Sequence, residues 1–157
     1  KGVEPVYEIG KVDDSNELAR TVQAALVIGD TALTQPWSSD FAYCMDLGQV
    51  WYDMTGLPFV FAVWAVRRDF AANHPEIVKK IHRLLLESKA AGDDNTDRII
   101  SAAQHRSGLP MSVLQTYFDL LYCDLDDQKI EAMVLFFDSL REQGILKHTP
   151  TVEFIHP

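Results

Sequence analysis

The eight residues Phe59-Val60-Phe61-Ala62-Val63-Trp64-Ala65-Val66 form an unbroken apolar run dominated by β-branched and aromatic side chains. A run of this length without polar alternation predicts a strand buried on both faces, as in the interior of a layered α/β sheet. Phe59, Phe61 and Val63 would share one face and Val60, Ala62 and Trp64 the other, so at most one of these sets can look into a cleft. The entry to the run is punctuated. Residues 47–55 read as a helix capped by Asp46, Gly56 can take the left-handed conformation just past its last turn, and Pro58 cannot continue it.

Toward the amino terminus the same alternation continues. Residues 3–9 read as a first strand, with Pro5 marking its start or a sheet edge. Asp14 or Ser15 can cap a short helix that carries Glu17, Leu18 and Val22. Residues 24–28 are a buried strand ending at Gly29-Asp30, Thr31-Ala32-Leu33 open a helical turn stopped by Gln35-Pro36, and residues 41–45 are a further strand.

Beyond residue 73 the apolar period changes to 3.6. Ile77, Val78, Ile81, Leu84 and Leu85 recur at helical spacing between Pro75 and Gly92. Helices follow over 96–107, ended by Gly108, over 112–121, and from a cap at Asp126 or Asp127 through Ile130, Met133, Val134, Phe137 and Leu140 to Gly144. The tail from Thr149 is expected to be extended. Strands alternating with helices, then helices alone, predict an α/β fold with a helical carboxy-terminal segment. Four strands make a thin sheet, and one apolar on both sides needs more neighbours than this chain supplies. Part of the architecture is therefore expected to lie elsewhere.

With 157 residues, 47% hydrophobic and 24% charged, the chain suits one ordinary domain, or one and a fragment. Fourteen basic against 23 acidic side chains give a net charge of -9, which repels phosphate backbones and anionic bilayers. Neither nucleic acid nor a membrane is expected as a partner. The longest apolar stretch, residues 57–66, contains a proline and falls short of the roughly 20 residues of a membrane span. Cys44 and Cys123 lack the spacing of zinc or redox motifs, and two cysteines suit a reducing compartment. Lys1 begins the sequence without a methionine or a secretory leader, so a processed or cut end is expected.

Candidate sites are few. Gly29-Asp30-Thr31 follows a strand, where ligands bind in open α/β sheets and helix N-termini offer free N–H groups to anions. The alternative is that Asp30 caps the following turn and Gly29 permits the bend, and spacing alone favours it. Trp51, Tyr52, Phe59, Phe61 and Trp64 could wall a pocket for a ring, although aromatics at these spacings are more often core. The five histidines, His74, His82, His105, His148 and His156, match no metal-binding helix motif, so no metal is expected. Asp124, Asp126 and Asp127 lack the remaining ligands of a calcium loop and fit helix capping better.

Three stretches taken together carry a resemblance: Ala25-Leu26-Val27-Ile28-Gly29-Asp30-Thr31-Ala32-Leu33, Asp46-Leu47-Gly48-Gln49-Val50-Trp51, and Thr55-Gly56-Leu57-Pro58 running into residues 59–65. In order and spacing they resemble the chorismate dehydratases of the futalosine route to menaquinone, the MqnA family, and Gly144-Ile145-Leu146 in the tail also fits. A sister family, the dihydroxynaphthoate synthases of that pathway, shares the Asp-Leu-Gly helix and the Thr-Gly-Leu-Pro entry but differs at Ile28-Gly29-Asp30 and at residues 59–64.

The resemblance implies a cytoplasmic hydro-lyase that converts chorismate to 3-enolpyruvylbenzoate without metal or organic cofactor. It also implies part of a two-lobed fold of the type II periplasmic-binding-protein kind. Residues 1–45 would belong to the second lobe and 46–157 would return to the first. The family's amino-terminal half, with most of its catalytic groups, has no counterpart here, so a complementary half or a homo-oligomer is the expected partner. Gly29, Asp30, Thr31 and Phe61 are the expected substrate contacts, while Trp51 and Trp64 are expected in the core. Two alternatives stay open: a lyase of the same pathway acting on a cyclised futalosine derivative, and a solute-binding module without chemistry.

Overall fold

The computed structural model describes residue 6 and residues 21–155. The expected first strand, apart from Val6, and most of the short helix capped at Asp14 or Ser15 fall outside the described residues. The chain divides into two compact units, Lys1–Met45 and Asp46–Pro157.

The described part of the first unit holds α1 (Asp30–Thr34) and α2 (Trp37–Asp40). The Trp37 indole N–H donates to the carbonyl of Thr31 at 3.3 Å, which ties the two short helices together. The second unit contains α3 (Leu47–Thr55), α4 (Arg68–Asn73), α5 (Pro75–Asp93), α6 (Thr96–Ser107), α7 (Met111–Leu120) and α8 (Asp127–Glu142). Consecutive helices α4 to α7 pack against one another in sequence order.

The helix boundaries follow local chemistry. Asp46 accepts a hydrogen bond from the Gln49 N–H at 3.0 Å and satisfies one of the orphan donors of α3. Gly56, at φ 70°, ends that helix with its N–H on the Tyr52 carbonyl at 2.7 Å. Asp126 repeats the N-terminal device on α8, accepting from the Lys129 N–H at 2.9 Å. Pro75 occupies the first turn of α5, where its missing N–H has no consequence.

The α/β expectation is overturned: no strand occurs among the described residues, and a two-lobed sheet architecture is absent from them. Residues 24–28, 41–45 and 59–66 hold neither helix nor strand. Their composition suits a sheet, but a strand is held by ladder hydrogen bonds to a second strand. No backbone hydrogen bond joins residues 59–66 to any other described segment. Without such a partner the run passes as irregular chain with Phe61, Val63 and Trp64 at 78%, 51% and 69% exposure.

The core is correspondingly small. Val78, Ile100, Leu114, Ala132 and Met133, one or two from each of α5 to α8, are the buried apolar residues among those described. The amphipathic period expected for α5 is present, yet Ile77, Ile81 and Leu84 remain about half exposed beside the buried Val78. Of that apolar stripe only Val78 is buried, with Leu85 half-buried.

Candidate functional site

Gly29 adopts φ 70° and ψ -153°, a region that a Cβ makes costly, and turns the chain directly into α1. Asp30 therefore does not cap the helix. Gly29 holds the cap position and, among the described residues, no side chain bonds the free N–H groups there. Asp30 is exposed in the first turn, where the helix dipole favours a carboxylate, and Thr31 beside it is half-buried. These three residues stand together in the first unit, whereas Phe61 belongs to the second.

Phe61 sits at the edge of an aromatic cluster. Its ring meets Phe59 at 5.0 Å between centroids; Phe59 meets Trp51 at 5.6 Å and Phe136 at 5.2 Å, all in steeply inclined, edge-on arrangements. Residues 59–63 and Ala132, Met133, Phe136 and Phe137 of α8 enclose an apolar groove of about 140 Å³. Residues 59–63 all border it, and because no strand forms over this run, no sheet imposes the two-faced alternation expected of it. The helix wall beside Phe61 depends on Gly48, where an added Cβ would lie 3.2 Å from the Phe61 ring and 3.2 Å from Asp46 Oδ1. Trp51, expected in the core, is half-buried in the cluster, and its indole N–H has no acceptor among the described residues. Trp64 is not core: it stands largely in solvent.

A second hollow, about 370 Å³, was not anticipated from sequence. Ala65, Val66, Arg67, Asp69, Phe70, Asn73 and His74 line it, all from one continuous segment. Arg67 is committed to Asp69 through two hydrogen bonds, and the guanidinium holds that carboxyl below the ordinary carboxylate value. Arg68 donates to the Thr151 carbonyl at 2.8 Å and pairs with Glu153, clipping the tail to α4.

The acidic cluster before α8 is organised around one cation. Lys129 Nζ lies 2.9 Å from Asp124 Oδ1 and also pairs with Asp126, and its hydrogen bonds hold both carboxyls below their ordinary value. Helix capping and charge pairing thus account for Asp124 and Asp126. Among the described residues no group of three or more His, Cys, Asp or Glu side chains is placed to hold a metal ion. None of the described helices is long and apolar enough to cross a membrane.

Across residues 1–142 the chain matches the family described as menaquinone biosynthesis, and it belongs to that family. Within it, the chain is similar to the chorismate dehydratase of Thermus thermophilus, with 30% identity over 131 aligned residues that take in 74% of this chain and 46% of the relative. The chain therefore spans about half the length of that curated relative. No solved structure matches it.

Proposed function

We propose that this chain is part of a cytoplasmic hydro-lyase that removes water from chorismate to give 3-enolpyruvylbenzoate for menaquinone biosynthesis. The observation that carries the proposal is membership of the menaquinone biosynthesis family together with 30% identity to a chorismate dehydratase.

The reaction breaks one C–O and one C–H bond of the ring, and aromatisation supplies much of the driving force. The protein must orient the substrate, take up the ring proton, deliver a proton to the departing hydroxyl and keep competing water away. Gly29, Asp30 and Thr31 are our proposed substrate contacts in the first unit. The reading is supported by the glycine-only backbone that opens α1 and by the exposed Asp30 carboxylate. Asp30 would orient a polar group of the substrate. Phe61, exposed at the mouth of an apolar groove, offers a flat face for a ring.

We assign the proton-transferring groups to the part of the family polypeptide that this chain does not span, and that part, or a second copy of the chain, would be its partner. No cofactor enters the proposed reaction. The test is to incubate the full-length protein with chorismate and follow the benzoate product by absorbance and mass. Turnover supports the proposal. Tight binding with chorismate recovered unchanged would make the protein a binding module, and turnover of a cyclised futalosine derivative instead would assign it to the sister lyase.

A further inference from the structure

We draw no further inference here: the strongest candidate, the apolar groove that residues 59–63 form with Met133, Phe136 and Phe137 of α8, is an unpartnered face and nothing in the structure shows what covers it.

Discussion

The indole of Trp51 and the ring of Phe136 meet edge to face, 5.8 Å between centroids and 80° between planes, joining α3 to α8 across 85 positions of sequence. Phe59 touches both rings, so the three form the main aromatic junction of the second unit. Phe136→Ala removes the shared wall. We expect a loss of about 2 to 3 kcal/mol, below the roughly 3 to 5 of a wholly buried ring because Phe136 is half-buried. Urea unfolding followed by tryptophan fluorescence measures it, with Phe136→Leu recovering most of the loss. An unchanged midpoint in the alanine variant would show that the junction does not hold the unit together.

Asp46 caps α3 through a single hydrogen bond to the Gln49 N–H. Asp46→Ala should cost about 1 kcal/mol and Asp46→Ser little, since serine also accepts from the second or third N–H of a helix. Denaturation midpoints of the two variants separate a cap from a generic surface charge: equal losses would contradict the capping role.

Stability in acid should depend on Lys129. Asp124 and Asp126 have folded pKa values depressed below the ordinary 3.8 by its hydrogen bonds. Their contribution is therefore present above that value and fades as pH falls through the lower folded values. Lys129 is raised above 10.5, chiefly by the hydrogen bond to Asp124, so its own contribution holds below that value and fades as pH climbs through the higher folded one. In Lys129→Met the decline of stability below about pH 4 becomes shallower than in the parent chain. Parallel acid limbs in urea titrations from pH 2 to 6 would refute the assignment.

The exposed apolar residues predict association. Leu26, Ile28, Tyr43, Phe61 and Trp64 all stand at 69% exposure or more. Large exposed apolar surface favours self-association or partner binding. The isolated chain is expected to bind a hydrophobic dye strongly and to sediment above 17.7 kDa, and Phe61→Glu to weaken both effects. A monomer with weak dye binding would count against it.

Asp30 tests the proposed chemistry. In the full-length protein Asp30→Asn keeps the shape of the side chain and removes its charge. We expect kcat/KM for chorismate to fall at least about tenfold, equivalent to roughly 1.4 kcal/mol of lost transition-state stabilisation, with the unfolding midpoint unchanged. Full activity in this variant would reduce Asp30 to a residue of the helix start.

Residue chemistry alone determined the family resemblance and several helix ends, although Gly92, expected to stop α5, lies inside that helix, which runs on to Asp93. Caps at Asp46 and Asp126 and stops at Gly56, Gly108 and Gly144 involve backbone within a few positions, so each signal and its partner lie in one short stretch of sequence. Tertiary structure alone decided the fate of the apolar runs. Residues 59–66 have the composition of a buried strand, but ladder bonding needs a second segment that composition does not name, and none of the described segments provides it. The groove at Phe61, the Trp51 to Phe136 junction and the Arg68 clip to Thr151, 83 residues away, were hidden for the same reason: each depends on two distant stretches meeting in space.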